Sequence, residues 1–163
     1  MTTQMKHLID KLAGLLTKGQ GPRNFMLIEH EMQTTKTLQV TVIWDRWDGV
    51  NIGDRSVIIT SAYEKANRQH GWHITVAIGL TPQEAIDTDL LPFQIITMCR
   101  KSDPVSLTEL ERAMTNVGDG VFVKKRGGLR FPTFERAHAA LQELTNQFDP
   151  KYWSIMQEVS RVA

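Results

Sequence analysis

The residues that decide the fold are Trp44-Asp45-Arg46-Trp47-Asp48-Gly49, then Asp54-Arg55-Ser56, then His73, then Thr81-Pro82-Gln83-Glu84. The first stretch reads as a strand end with an aspartate–glycine turn, and the second can cap a helix. A further strand begins at the histidine. The last stretch is a strong helix start, because threonine caps, proline fits the first turn and glutamate reaches back to the cap. This order predicts a small α/β layer with one imidazole where a strand begins.

Hydrophobic spacing extends this order toward the N-terminus. Residues 3–17 have helical spacing, and residues 25–32 and 38–44 alternate as the strands of an antiparallel hairpin do. Residues 54–69 are predicted to form a helix, and residues 74–80 a strand. In that strand, four residues are expected to share one face: Ile74, Val76, Ile78 and Leu80. The predicted N-terminal order is α-β-β-α-β-α.

The pattern restarts after a short linker at residues 90–92, and the remainder reads as a small α/β extension. Five features are predicted there, in the order strand, helix, hairpin, helix, helix: 93–98, 106–116, 121–131, 134–148 and 149–159. We expect residues 1–91 and 92–163 to form two parts that pack together, through one continuous sheet that includes the strand 93–98. The predicted fold class is α+β.

Composition bounds the class of protein. The chain has 163 residues, 41% of them hydrophobic, which supports one ordinary domain or two small ones. Its net charge of +1 favours neither nucleic acid nor an anionic membrane as partner. The single cysteine, Cys99, lies in an apolar run that predicts a buried thiol, and a lone cysteine is typical of a reducing, cytoplasmic compartment. No apolar run approaches the roughly 20 residues that span a membrane.

Two histidines are candidate metal ligands. His73 stands at the start of a predicted strand, where a neutral imidazole could bind iron or zinc, and His30 on the first predicted strand is a weaker candidate. The alternative for His73 is a strand histidine that faces solvent and binds nothing.

A basic hairpin tip is a candidate nucleic-acid contact. Lys124, Lys125, Arg126 and Arg130 surround a glycine turn, and each could neutralise a backbone phosphate. A solvated turn is the alternative. No nucleophile elbow and no phosphate-binding glycine loop occurs in the sequence, so we expect a protein that is not an enzyme, although catalytic groups assembled only in three dimensions would escape this reading.

The N-terminal part, residues 5 to about 90, resembles the BolA-like family. Trp47-Asp48-Gly49 is similar to the phenylalanine, one residue and glycine that end the family's second strand, and Arg55 follows that glycine by six positions as in the family. His73 is similar to the histidine that opens the family's third strand, one residue later than usual. Thr81 and Glu84 follow it at eight and eleven positions, as in the family.

The resemblance implies a KH-like fold of class II and a non-enzymatic adaptor or regulatory role. It implies a monothiol glutaredoxin as partner, with a [2Fe-2S] cluster shared through His73, and some members of the family bind DNA. Two features depart from the family: Ser56 replaces the histidine that usually follows the arginine, and the loop 34–37 lacks the second ligand. A nucleic-acid-binding module that uses a KH-like sheet and the basic hairpin is the alternative function.

Overall fold

The computed structural model describes residues 1–18, 21–123 and 128–158. The chain divides into two compact units, Met1–Thr81 and Pro82–Ala163, earlier than the boundary predicted near residue 91. Unit 1 contains a three-stranded sheet and unit 2 a four-stranded sheet, so the protein belongs to the α+β class. None of the helices in the described ranges combines the length and the apolar character that crossing a bilayer requires.

Unit 1 contains the first five elements of the order predicted from the sequence, and the sixth, a helix, belongs to unit 2. The elements of unit 1 are α1 Thr3–Lys18, β1 Met26–Met32, β2 Thr37–Ile43, a 3-10 turn Asp45–Trp47, α2 Ile52–Ala66 and β3 His73–Leu80. The sheet order is β1-β2-β3, with β2 antiparallel to β1 and parallel to β3. The helix α2 begins two residues before the predicted start, because the Asn51 side chain accepts a hydrogen bond from the Gly53 amide and caps it.

The core of unit 1 lies between the two helices and one face of the sheet. Three elements supply most of its buried side chains: Leu8, Ile9, Leu12, Ala13 and Leu16 from α1, Leu38, Val40 and Val42 from β2, and Ile58, Ile59, Ala62 and Tyr63 from α2. These residues have the 3.6-residue spacing in the helices and strict alternation in β2, so burial of one apolar face explains each element.

A β-bulge changes the facing of β3. Leu38 pairs with Ile74 and Gln39 pairs with Val76, which leaves Thr75 without a partner in β2. Ile74 therefore packs against the core, whereas Val76 and Ile78 point to the opposite side of the sheet. The prediction that these residues share one face is wrong, because one inserted residue reverses the alternation beyond it.

Unit 2 surrounds an antiparallel sheet in the order β5-β6-β4-β7. Its elements are α3 Pro82–Asp87, β4 Phe93–Thr97, α4 Leu107–Asn116, β5 Val121–Phe122, β6 Leu129–Phe131, α5 Phe134–Thr145 and β7 Trp153–Gln157. The predicted capping box is confirmed: the Glu109 amide donates to Ser106 Oγ, and the Ser106 amide donates to the Glu109 carboxylate.

Two predictions for this unit are wrong. The last predicted helix is a single 3-10 turn, Pro150–Tyr152, followed by the strand β7 along β4. The residues of β7 alternate, and Trp153 and Ile155 pack on the core of the unit, so pairing with β4 overrides the helix start. The expected continuous sheet is also wrong, because β4 pairs with β6 and β7. Val159 lies outside the described residues.

Candidate functional site

Trp47, the first residue of the segment Trp47-Asp48-Gly49, is a core residue. Its side chain is completely buried, and its Nε1 donates a hydrogen bond to the Val42 carbonyl at 2.9 Å. Its ring meets Trp44 edge-on, with the centroids 5.3 Å apart. Gly49 has φ +74°, which L-residues with a side chain rarely adopt, so the motif's glycine forms the turn that leads into α2.

Arg55 is buried and binds backbone carbonyls of its own unit. Its Nε donates to Val50 at 2.9 Å, and its two terminal nitrogens donate to Gly79 at 3.0 Å and Trp47 at 3.1 Å. A single guanidinium thus joins the 3-10 turn, the start of α2 and the end of β3. Its role in the described geometry is structural.

The same helix covers the outer edge of β3. The Leu80 carbonyl accepts from the Trp44 amide and so points toward β2, which means that the carbonyls of Ala77 and Gly79 point away from β2. Arg55 donates to one of these carbonyls, and Ser56 Oγ donates to the other at 2.7 Å. Ser56 stands where BolA-like proteins usually have a histidine, and its hydroxyl covers the outer edge of β3.

Close packing at Gly79 completes this junction. A Cβ atom there would lie 2.8 Å from Trp47 Cε2 and 2.9 Å from Arg55 Cβ. Thr81 directly precedes α3, and Glu84 lies in the first turn of that helix. The motif residues thus occupy turns, helix starts and a packed junction.

His73 and His30 both lie on the face of the sheet opposite α1 and α2, which we call the open face. His73 is exposed, pairs with Thr37 and donates its backbone amide to the Lys36 carbonyl at 3.0 Å. His30 is exposed on β1 and pairs with Gln39. The strand β2 lies between them and they occupy neighbouring cross-strand rows, so the two backbones are about 12 Å apart across the sheet.

These residues do not fit a cluster held by two ligands of this chain. Within the described ranges, no group of three or more histidine, cysteine, aspartate or glutamate residues could hold a metal ion. The loop 33–36 between β1 and β2 contains no histidine or cysteine. His73 is thus a single exposed imidazole on the open face.

The open face consists of four cross-strand rows. The register gives them as Met26–Ile43–Leu80, Ile28–Thr41–Ile78, His30–Gln39–Val76 and Met32–Thr37–His73. The first row is buried, with Met26 3% and Ile43 0% exposed. In the other three rows, Ile78 is 41%, Val76 38% and Met32 39% exposed. These rows therefore present an apolar surface to solvent.

Sequence reasoning missed Val76 and Ile78 as surface residues. Their alternation is that of a buried strand face, and the bulge at Thr75 carries no recognisable signal in Ile74-Thr75-Val76. The alternation predicted for residues 25–32 is confirmed, and it places Met26, Ile28, His30 and Met32 on one face of β1.

The basic hairpin is only partly described. Lys124, Lys125 and Arg126 lie outside the described residues. Arg130 on β6 is 3% exposed, forms an ion pair with the Glu158 carboxylate and donates to the Leu91 carbonyl at 3.3 Å. Its guanidinium is therefore engaged within unit 2.

A charged cluster lies on the helix-covered side of the sheet of unit 1. Arg68 donates to the Glu29 carboxylate at 2.6 Å and to the Leu16 carbonyl at 3.1 Å, and so connects β1, α2 and α1. Burial, reinforced by the Glu29 charge, raises the pKa of the neighbouring Tyr63 hydroxyl well above its ordinary value, although the Arg68 charge opposes this. The contacts of Arg68 lie within unit 1.

Unit 2 contains a shallow cavity of about 430 Å³ on the loop between β4 and α4. Cys99 lies in its wall, is partly buried and donates from Sγ to the Val105 carbonyl at 3.1 Å.

Searches for similarity with protein-family models, with curated proteins and with solved structures found no match.

Proposed function

We propose that this protein is a non-enzymatic adaptor that binds a protein partner through the open face of unit 1. The observation that carries the proposal is the exposed apolar surface of Met32, Val76 and Ile78 on a face that α1 and α2 do not cover. When a partner buries apolar side chains that lie together on one surface, their removal from water lowers the free energy of the complex.

The motif residues support binding over catalysis. Trp47, Arg55 and Ser56 donate their side-chain hydrogen bonds to backbone carbonyls of the same unit. A group that transfers a proton or attacks a substrate needs a reacting atom within reach, and these donors are directed inward. Their chemistry serves to hold β3 and α2 together and so to keep the open face rigid.

The resemblance to BolA-like proteins suggests the kind of partner. A monothiol glutaredoxin is the partner that the resemblance implies, and a protein that covers the open face would also contact His73 in its last row. The proposal needs only the docking surface. It assigns no cluster to this chain.

Isothermal titration calorimetry of the whole chain with a monothiol glutaredoxin tests the proposal. Ile78→Lys places a charge in the docking surface and should weaken binding by about tenfold or more, because a buried ammonium has no partner there. Val57→Lys is the matched control, since Val57 is a branched residue 44% exposed on α2 of the same unit. Equal affinities for the two variants, or no binding by the natural sequence, would contradict the proposal.

Nucleic-acid binding is the second outcome of such experiments. The twelve side chains of the open face include no lysine or arginine, so this surface offers no cation to a phosphate. If single-stranded RNA binds with an affinity that falls steeply with salt and depends on Lys124 and Lys125, the module would be a nucleic-acid binder instead.

A further inference from the structure

We infer that the partner covers the open face with an amphipathic α-helix that has an uncharged stripe. This inference rests on the proposed function and names the shape and chemistry of what binds. It follows from three features of unit 1: the state of the two sheet edges, the size of the open face and the side chains on it.

The outer edge of β3 is closed to an added strand. Strand addition needs free backbone groups along an edge, and the outward carbonyls of Ala77 and Gly79 already accept hydrogen bonds from Ser56 and Arg55. The other half of the strand contains the bulge at Thr75, which interrupts regular pairing. A partner strand therefore has no continuous edge to join at β3.

The outer edge of β1 is protected by charge. Its exposed half reads Glu29-His30-Glu31-Met32, and Glu29 is held by Arg68. Charged side chains on an edge strand oppose the approach of another strand. With both edges unsuited to strand addition, the flat face is the part of the sheet that a partner can cover.

The size of the face suits one helix. Three strands about 4.8 Å apart and the three exposed rows about 6.7 Å apart give a surface roughly 10 Å wide and 13 Å long between backbone positions. A helix is about 10 Å across, and two to three turns match this length.

The side chains define the stripe of that helix. Apolar residues flank the face on both outer strands, namely Ile28 and Met32 on β1 and Val76 and Ile78 on β3. The middle strand supplies Gln39 and Thr41 between them. The complementary helix has apolar residues at i, i+3, i+4 and i+7, with an uncharged hydrogen-bonding residue facing Gln39.

Two peptide libraries displayed against the whole protein test the inference. One presents stapled amphipathic helices, and the other presents extended peptides of alternating apolar residues. Each is selected on the natural sequence and then measured against Ile78→Lys, with Val57→Lys as control. We expect helical clones that lose affinity about tenfold with Ile78→Lys and less than about twofold with Val57→Lys.

The outcomes separate this inference from the function on which it rests. Extended clones that depend on Ile78, without helical ones, would overturn the helix and leave the docking surface standing. If neither library gives a clone sensitive to Ile78→Lys, both the helix and the docking surface fail. Helical clones that shift the NMR signals of the Ile28 and Val76 methyl groups would establish the helix on the open face.

Discussion

Arg55 joins three segments of unit 1 through neutral backbone acceptors. Replacing it by methionine keeps much of the side-chain volume but leaves the carbonyls of Val50, Trp47 and Gly79 without their donor. We expect Arg55→Met to lower the free energy of unfolding of unit 1 by about 3 kcal/mol. Urea unfolding in a Trp153→Phe background measures this, because the remaining tryptophans all belong to unit 1.

Arg46 provides the control for this substitution. It lies exposed in the 3-10 turn beside the same junction. Arg46→Met should change the free energy of unfolding by less than about 0.5 kcal/mol. Equal effects of the two substitutions would show that the buried hydrogen bonds of Arg55 are not what stabilises the junction.

Gly79 allows Trp47 and Arg55 to approach the sheet. Gly79→Ala would place a methyl group less than 3.0 Å from both side chains, so we expect unit 1 to lose about 2 kcal/mol of stability. Gly14→Ala in α1 has open space around its added Cβ and should instead gain about 1 kcal/mol from helix propensity. Urea midpoints that move in the same direction for both variants would contradict the packing at Gly79.

Tyr63 gives unit 1 a dependence on alkaline pH. Burial raises the pKa of its hydroxyl in the folded state, so above about pH 10 the unfolded chain ionises first and becomes favoured. The free energy of unfolding should be unaffected by this group below pH 10 and fall by about 1.4 kcal/mol by pH 11. Tyr63→Phe should remove that fall in urea titrations, whereas Tyr152→Phe, in unit 2, should retain it.

At the scale of elements, the start of α4 is set by its capping box. Ser106→Ala removes the acceptor for the Glu109 amide, so the first turn should loosen by about 1 kcal/mol. Amide hydrogen exchange should then be about fivefold faster at the start of α4. Thr108→Ala, an exposed neighbour outside the cap, should leave exchange unchanged. Equally fast exchange in both variants would contradict the role of the cap.

Local chemistry predicted most elements, and the exceptions depend on pairing across the chain. The helices α1 and α4 were readable because helical spacing and a capping box are contained in a few neighbouring residues. The strand β7 was not, since Asp149-Pro150 is equally a helix start and the start of a 3-10 turn. Only its pairing with β4 decides between them.

The candidate site was predictable in part for the same reason. His30 and His73 could be placed on strands from alternation and from the glycine turns around them. The apolar surface of Val76 and Ile78 depends on the bulge at Thr75, which is a property of two paired strands and not of one. A single sequence therefore indicated the histidines and missed the surface beside them.

At the scale of the whole molecule, the two units carry different features. Unit 1 contains Trp47, Arg55 and the open face, and unit 2 contains Glu84, the buried Arg130 and the cavity at Cys99. In the full chain, a partner should therefore contact unit 1 alone. Binding should be localised to a few methyl groups, all of them on one side of a single sheet.

Methyl NMR of the full chain during titration with a monothiol glutaredoxin tests this claim most directly. With isoleucine, valine and methionine methyl groups labelled, we expect the largest shifts at Ile28, Met32, Val76 and Ile78, and little change at Val57. Shifts confined to Val57 or to residues of unit 2, or saturating concentrations of partner that leave Ile78 unmoved, would contradict the docking surface proposed for this protein.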